Sequence, residues 1–228
     1  EKAEKAKELR TEADELSKDY LRSVFFDMFL KKDEFETIKI VNVVEKISKD
    51  NPPKDYPDEE LEYVDISSID NDKGEIISSK NLLGKDAPSR AKQKIKYNDL
   101  IISTVRPNLN AVALIPKKLE NQICSTGFCV LRANIKKVSP EFLFYISRSS
   151  KFIESMVEIA KGASYPAVSD RDIKNYKIPL PPMELQNKFA EIVKQVESMK
   201  EHQKESREQI DNLFNALMQK AFKGELKC

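Results

Sequence analysis

Residues 178–196 read IPLPPMELQNKFAEIVKQV and join a proline-rich segment to the beginning of a long helical pattern. Proline lacks a backbone N–H and restricts the residue before it, so Ile178–Pro182 is predicted to be an extended, stiff segment. From Leu185 to Leu217, a heptad pattern of mostly apolar positions recurs at alternating steps of four and three residues, without an intervening glycine or proline. We call these positions the seam of the helix. The pattern predicts a helix of roughly 40 residues, about 60 Å long at 1.5 Å per residue. Its seam becomes polar at Gln203 and Ser206.

A second heptad pattern lies near the start of the chain and predicts another long helix. Its seam positions also alternate steps of three and four residues, and neither glycine nor proline interrupts them. These positions are Ala6, Leu9, Ala13, Leu16, Tyr20 and Ser23.

The ends of the two helical patterns resemble each other. Residues 19–29 align with 212–222 at an offset of 193, which places Phe29 opposite Phe222. If the repeat is real, the chain carries two similar docking surfaces. The alternative is a chance likeness between two amphipathic helices.

The middle of the chain, about 35–182, has a different character. Ser139-Pro140-Glu141 is a good helix start, because serine suits the N-cap and proline the first helical position. Short apolar runs separated by Pro, Gly and Asn turn signals predict strands. These runs are Ile38–Val44, Leu100–Val105, Ala111–Ile115 and Phe128–Leu131. The sequence therefore predicts an α+β fold, with one globular mixed α/β domain at 35–182 between helical arms at 1–34 and 183–228.

Charge is unevenly distributed along the chain although the net charge is only +1. Residues 35–72 contain 4 Lys/Arg and 11 Asp/Glu, a net charge of −7, whereas residues 73–182 contain 19 and 9, a net charge of +10. A basic block of this kind is typical of a nucleic-acid footprint. A lysine-rich solvated surface is the alternative explanation.

The composition argues against an enzyme with its own cofactor or metal. Cys124, Cys129 and Cys228 form no CxxC pair, and with the single His202 they give no credible zinc set. Reduced structural cysteines of a cytoplasmic protein are the simplest reading. No apolar run is long enough to span a membrane, and the five glycines form no phosphate-binding or dinucleotide-binding loop.

Asn51-Pro52-Pro53-Lys54 resembles the Asn-Pro-Pro-aromatic motif of amino-methyltransferases, in which the aromatic ring stacks on a flipped base. Here Lys54 replaces the aromatic residue, and no glycine-rich cofactor turn exists. Residues 51–57 are therefore predicted to be a proline-stiffened loop.

Two segments carry side chains suited to DNA contact. The turn after the strand at 100–105 offers Arg106, Asn108 and Asn110, since Arg can fork onto guanine and Asn can pair with adenine. Ser164 and Tyr165 lie in a small-residue loop beside Gly162. Ser169 is predicted to cap a helical turn containing Arg171 and to aim backbone N–H groups at an anion. The alternative for the first segment is an ordinary hairpin turn. For the second, it is a loop that only packs against the long helix.

Several segments together resemble the specificity (S) subunit of type I restriction-modification systems. The first helical arm also contributes Ser23-Val-Phe-Phe-Asp-Met-Phe29, although Leu30 stands where the family often has glycine. The other segments that carry the resemblance are LIISTVRPN (100–108), STGFCVLR (125–132), GASYPAVS (162–169), IPLPP (178–182) and AFKGEL (221–226).

The resemblance implies a non-catalytic subunit that binds double-stranded DNA and lies in the cytoplasm. In this family two recognition domains each read half of a split target, and two helices pair as an antiparallel coiled coil. Methyltransferase (M) subunits supply catalysis and S-adenosylmethionine. A restriction (R) subunit adds translocation along DNA and cleavage, which use ATP and Mg²⁺. This chain has one recognition domain, so the resemblance implies either a half-subunit, two copies of which could pair about a two-fold axis, or the C-terminal half of a longer subunit.

The helical arms are then expected to serve helix pairing or methyltransferase docking. The positions chosen for this role are Val24, Phe25, Met28, Leu213, Leu217 and Phe222. The rival hypothesis is a structural coiled-coil adaptor whose middle domain binds protein rather than DNA. A third is a fragment of a fused restriction-methylation enzyme, against which the missing glycine turn and Lys54 argue.

Overall fold

The computed structural model describes residues 2–31, 34–162 and 164–222, without the side chains of 2–11, 14, 213, 216, 217, 220 and 221. The chain divides into two compact units. One consists of Glu1–Val24 and Lys188–Cys228, and the other of Phe25–Asn187. The mixture of helices and sheets confirms the predicted α+β class.

Six α-helices lie in the described part of the chain. They are α1 (Lys2–Phe29), α2 (Pro52–Asp55), α3 (Pro140–Ser147), α4 (Ser150–Ile159), α5 (Asp170–Asn175) and α6 (Met183–Phe222). At 40 residues, α6 has the predicted length and begins directly after Pro182. The prediction of a loop at 51–57 is wrong in part, because Pro52 starts the single turn of α2. Proline suits the first helical position, where a backbone N–H is not needed.

The buried face of α1 differs from the predicted seam. Leu16 and Tyr20 are 62% and 53% exposed, whereas Leu21, Phe25 and Phe29 are buried. The buried positions follow each other at steps of four, so they still form one helical face. The heptad prediction was wrong in register by about one residue, since apolar side chains are available in both registers.

The seam of α6 is buried at its start and exposed farther along. Phe189 and Val196 are buried as predicted. Met199 and Ile210 are 57% and 52% exposed, and every described side chain from Glu201 onward is exposed. Beyond Lys200, the predicted seam is therefore not covered by the described part of this chain.

Twelve strands lie in the described residues, all of them within Phe25–Asn187. They are β1 (Thr37–Lys39), β2 (Val44–Glu45), β3 (Glu60–Val64), β4 (Ile69–Asp70), β5 (Glu75–Ile76), β6 (Lys80–Leu83), β7 (Ala91–Lys94), β8 (Leu100–Ser103), β9 (Val112–Leu114), β10 (Ile123–Ser125), β11 (Phe128–Ala133) and β12 (Lys177–Pro179).

The strands form two four-stranded sheets and two small ribbons. The larger sheets have the orders β6-β3-β10-β7 and β2-β11-β8-β9, and the ribbons pair β1 with β12 and β4 with β5. Only β3 and β10 pair in parallel among these described strands. Side chains from both large sheets share one core that includes Val64, Ile101, Cys124, Phe128 and Val130. Helices α3 and α5 pack against β11, so this strand is buried on nearly every residue.

The apolar run at 38–44 is not one strand. A 3₁₀ turn at Ile40–Asn42 separates β1 from β2. Ile40 and Val43 are both fully buried and lie three residues apart, which is the spacing of a helical turn rather than of alternating strand faces. The predicted continuous strand was therefore wrong at this point.

The proline-rich exit is fixed to the domain at both its ends. Residues Lys177–Pro179 are extended and pair with β1, with Ile178 buried opposite Ile38. At the start of α6 the buried Gln186 amide donates to the carbonyl oxygens of Pro181 (2.8 Å) and Lys137 (3.2 Å). The start of α6 is thus held by hydrogen bonds, as expected of a stiff exit.

Ser139 links this exit to α3. Its hydroxyl accepts from the Phe142 N–H at 3.0 Å, which confirms the predicted N-cap, and its own N–H donates to Gln186 Oε1 at 2.9 Å. A second serine cap at Ser149 starts α4. The sequence did not reveal this break, because the apolar pattern continues across Arg148.

Candidate nucleic-acid interface

The turn between β8 and β9 has an unusual backbone. Arg106 and Asn110 have φ values of 50° and 49°, and a 3₁₀ turn at Pro107–Leu109 separates them. Asparagine tolerates this left-handed conformation, but arginine rarely adopts it, and it costs on the order of 1 kcal/mol. Such strain persists only where the surroundings enforce it, so the position of Arg106 needs an explanation.

A second loop, described at residues 161, 162 and 164–168, holds the Arg106 turn in place. The Arg106 N–H donates to the carbonyl of Pro166 at 2.7 Å, and Val105 forms a β-bridge with Ala167. Lys161 and Ala167 exchange two backbone hydrogen bonds of 2.9 Å, which close the loop. Strain at Arg106 is therefore offset by hydrogen bonds to a segment 60 residues away in sequence.

Gly162 is required in this loop. Its φ of 107° is disfavoured for residues with a side chain, and a Cβ there would lie 3.0 Å from the Tyr165 carbonyl oxygen. This agrees with the expectation that the small-residue segment allows close backbone approach.

The structure brings Arg106 and Tyr165 into direct contact. The guanidinium carbon lies 4.7 Å from the centre of the Tyr165 ring, a cation–π geometry. Tyr165 is 69% exposed, and Asn108 and Ser164 are exposed on the same two loops. Asn110 is half-buried. Five of the six predicted DNA-facing residues thus lie on two adjoining loops, which no local pattern in the sequence could show.

Arg171, the sixth predicted residue, is exposed on α5. Ser169 caps α5 as predicted, because its hydroxyl accepts from the Asp172 N–H at 3.2 Å. However, the Asp172 carboxylate accepts from both the hydroxyl and the N–H of Ser169, and these hydrogen bonds lower the pKa of Asp172. The carboxylate of Asp172 thus occupies the N-cap hydrogen bonds of this six-residue helix, and the predicted anion site at its N-terminus stays a prediction.

A third turn, Thr126–Gly127, lies on the other side of the Arg106 turn. The backbone N–H and the hydroxyl of Thr104 both donate to the Gly127 carbonyl at 2.9 Å. The buried Gln93 amide donates to the carbonyls of Ser125 (2.8 Å) and Phe128 (2.7 Å), which flank this turn. The sequence indicated a turn at 126–127 and a family resemblance over 125–132, but not that this turn lies beside Arg106. The hydroxyl-rich Ser-Thr-Gly before an apolar strand was the available clue.

The space beneath the Arg106 turn is too small for a ligand. A cavity of about 10 Å³ lies between this turn and α4, lined in part by Pro107, Asn110 and Met156. It holds at most about one water molecule.

The residues predicted for helix pairing or subunit docking have different environments. Val24 and Met28 are half-buried, and Phe222 is 85% exposed. The ring of Phe25 is 3% exposed and lies 5.4 Å from the Phe142 ring, so it belongs to the core of this chain and is not available to another subunit. The side chains of Leu213 and Leu217, also predicted, lie outside the described residues.

The two ends of the proposed repeat also differ. Phe29 is 1% exposed, whereas its counterpart Phe222 is 85% exposed. On α6, Ile210, Phe214 and Met218 are exposed at steps of four residues, which places them with Phe222 on one side of the helix. This exposed side of α6 is apolar over three turns.

The described residues contain no group of three or more His, Cys, Asp or Glu side chains that could hold a metal ion. Cys124 and Cys129 are free thiols, and burial raises the pKa of each, which makes them unreactive. Among the described helices, none is long and apolar enough to cross a membrane.

Comparison with known proteins places the chain in a family. Residues 32–212 match the family described as "Type I restriction modification DNA specificity domain". The HindI specificity subunit of Haemophilus influenzae is 26% identical over 140 residues, which cover 60% of this chain and 30% of that subunit. The EcoDI specificity subunit of Escherichia coli is 22% identical over 188 residues, with 81% and 40% coverage.

Solved structures agree with the sequence relatives. The HsdS subunit from Thermoanaerobacter tengcongensis is 40% identical and superposes with a TM-score of 0.66, covering 83% of this chain and 49% of that one. A chain in a structure describing complex assembly and conformational transition of the type I R-M system matches equally well. This chain thus spans about half the length of the solved subunits. It belongs to the family of type I restriction-modification DNA specificity subunits.

Proposed function

We propose that the chain is a sequence-specificity subunit in which Phe25–Asn187 reads one half of a bipartite DNA target. The observation that carries this proposal is the strained, exposed Arg106 turn, held by backbone hydrogen bonds against the Tyr165 loop. Strained backbone at an exposed polar turn is typical of functional sites. Because the two loops are already hydrogen-bonded to each other, little ordering entropy opposes DNA binding.

Each proposed contact has a chemical rationale. The Arg106 guanidinium can donate two hydrogen bonds to O6 and N7 of guanine, and the Asn108 amide can pair with adenine in the same groove. Ser164 and Tyr165 offer hydroxyl groups to phosphates or base edges. Asn110 and Arg171 are proposed to add further contacts, and those cations of the basic block at 73–182 that lie near the two loops supply the general attraction to DNA.

The remaining functions of such a complex belong to other subunits. Methyltransferase subunits would bind S-adenosylmethionine and catalyse methyl transfer, and a restriction subunit would use ATP and Mg²⁺, so this chain is proposed to be non-catalytic and cytoplasmic. The chain covers 49% of the solved subunit it resembles. We therefore propose that a second recognition half, either another copy or another segment, completes the target-reading unit, with the exposed apolar side of α6 facing a partner helix.

Replacing Arg106 tests the proposal directly. Arg106→Ala is expected to weaken binding of the chain, with its methyltransferase subunits, to its preferred duplex by about 5- to 150-fold, the loss of one bidentate base contact. Arg106→Lys keeps the positive charge but loses the planar guanidinium that donates two hydrogen bonds. This variant should therefore bind more tightly than Arg106→Ala but less tightly than wild type. Fluorescence anisotropy with a labelled duplex measures both variants.

Lys118→Ala is the matched control, because Lys118 is exposed on the 3₁₀ turn after β9, at the opposite end of the sheet from Arg106. It should leave the affinity within about twofold of wild type, since surface substitutions of this kind have small effects. Equal losses for Lys118→Ala and Arg106→Ala would contradict the assignment. Absence of duplex binding by the wild-type complex at low salt, together with specific protein capture by the middle domain, would favour the adaptor hypothesis.

A further inference from the structure

The Arg106 turn is the centre of a continuous row of backbone segments. On one side, the Thr104 N–H donates to the Gly127 carbonyl at 2.9 Å, and the Thr126 N–H donates to the Arg90 carbonyl at 2.8 Å. Residues 104–105, 126–127 and 90–91 therefore lie side by side, as strands do in a sheet. Arg90 is exposed at the outer end of this half.

The other half of the row is built in the same way. The Val168 N–H donates to the Thr104 carbonyl at 2.9 Å, and Ala167 exchanges two hydrogen bonds of 2.9 Å with Lys161. Lys161 is exposed at the outer end of this half. We call the five segments 90–91, 126–127, 104–105, 167–168 and 161 the loop row.

The length of the loop row can be compared with that of a DNA groove. Hydrogen-bonded neighbours lie about 4.8 Å apart, so four intervals span roughly 19 Å. The major groove of B-DNA is about 12 Å wide, and its edges are lined by phosphates. If the row lies across the groove with its centre inside, it extends past both edges. The outermost side chains then lie beside the two phosphate backbones.

Both outermost side chains are cations that form no ion pair with any residue that the structure describes. Across the described residues, no carboxylate lies within 4.0 Å of the charged group of Arg90 or Lys161. The pKa of Asp172 is lowered mainly by its hydrogen bonds with Ser169 and, to a smaller extent, by the charges of Lys161 and Arg171, so Lys161 interacts with this carboxylate only at longer range than an ion pair. Arg132, in contrast, is neutralised by Asp99. Arg90 and Lys161 are thus exposed and form no close ion pair with a described carboxylate, which leaves both accessible to an external anion.

We infer that Arg90 and Lys161 bind backbone phosphates on the two sides of the groove into which Arg106 projects. This inference rests on the proposed function, since it requires the Arg106 turn to face DNA. On this inference, the central turn contacts bases and determines sequence preference. The two ends contact phosphates, so they determine where the protein lies on DNA and how strongly binding depends on salt. Neither residue is singled out by the sequence, because both are ordinary members of a lysine- and arginine-rich block.

Salt titration distinguishes phosphate contacts from base contacts. For a 30-base-pair duplex of mixed sequence, each lost phosphate contact should reduce the slope of log K against log salt by about 0.9. Arg90→Ala and Lys161→Ala are each expected to show this reduction, and the double variant about twice as much. Raising the salt from about 50 to 200 mM lowers the affinity of the wild-type complex. For each single variant, the factor by which the affinity falls should be about 3.5 times smaller. Sequence preference in a random-core duplex library should remain that of wild type.

Lys118→Ala removes the same charge at the far end of the sheet and should leave the slope unchanged. The inference is overturned if Arg90→Ala and Lys161→Ala keep the wild-type slope, if Lys118→Ala reduces it equally, or if either end variant changes the selected sequence. A wild-type complex that binds no duplex at 50 mM salt would instead overturn the proposed function itself. Circular dichroism of each variant checks that the fold is retained.

Discussion

Replacing Asp99 by alanine is expected to destabilise the Phe25–Asn187 unit by about 3–5 kcal/mol, because it leaves a largely buried guanidinium without its partner. The Asp99 side chain is 2% exposed and that of Arg132 is 16% exposed. Arg132 donates to both carboxylate oxygens, at 2.8 and 2.6 Å, and the Lys96 N–H donates to one of them at 2.8 Å. The hydrogen bonds with Asp99 also raise the pKa of Arg132. The melting temperature should fall by about 6–20 °C, as differential scanning calorimetry can measure.

An exposed ion pair provides the control for this prediction. Asp27→Ala removes a carboxylate that pairs with Lys31 where both side chains are more than half exposed, and it should cost less than about 1 kcal/mol. The double change Asp99→Leu with Arg132→Met should recover most of the lost stability, because no charge is left buried. Similar losses for Asp99→Ala and Asp27→Ala would show that the Asp99–Arg132 pair is not a buried unit.

Phe142→Ala should cost a comparable 3–5 kcal/mol, through the cavity left in an aromatic cluster. Phe142 is fully buried, and its ring lies 5.4 Å from that of Phe25 and 5.1 Å from that of Phe29, the latter edge-on. Edge-to-face rings contribute beyond their buried area. This cluster attaches the end of α1 to α3, so its loss should appear in the urea midpoint of the whole Phe25–Asn187 unit.

Phe26→Ala, on α1 beside the buried rings of Phe25 and Phe29, is the matched change. Phe26 is 52% exposed, and its removal should cost less than about 1 kcal/mol, since little apolar surface returns to water. If Phe26→Ala destabilised the protein as much as Phe142→Ala, the face of α1 described above would be wrong. The pair of variants therefore also tests the correction to the predicted seam.

The long helices and the buried strands could be predicted because their signals are local. The start and length of α6 follow from Pro181-Pro182 and an unbroken helical pattern. Strands β8 and β11 are buried on nearly all residues, so they read as apolar runs. In α1, two neighbouring registers both carry apolar side chains, and only packing in the fold selects Leu21 and Phe25 over Tyr20.

The half-exposed strands could not be predicted in the same way. In β7, AKQK, the inward positions are held by Ala91 and Gln93, and neither looks like a core residue. Gln93 is buried because its amide satisfies two carbonyls of the turn at 126–127. Such a residue is recognised only once its partners, more than 30 positions away, are known.

The sequence predicted individual residues of the candidate site but not how they are arranged. Arg106, Asn108 and Tyr165 were chosen for their chemistry, and Pro107 correctly indicated a turn. The contact between Arg106 and Tyr165 depends on long-range pairing of Val105 with Ala167, which leaves no periodic signal. The left-handed backbone of Arg106 is likewise imposed by that pairing and contradicts the usual preference of arginine.

Selection of bound sequences from a random-core duplex library tests the central claim most directly. The chain, assembled with its methyltransferase subunits, should enrich one short fixed sequence, or two mirrored copies around a spacer if two chains pair by a two-fold axis. Arg106→Ala should lose or relax part of that sequence. Recovery of unenriched random duplexes by the wild-type complex, or an identical motif from the Arg106→Ala complex, would contradict the account.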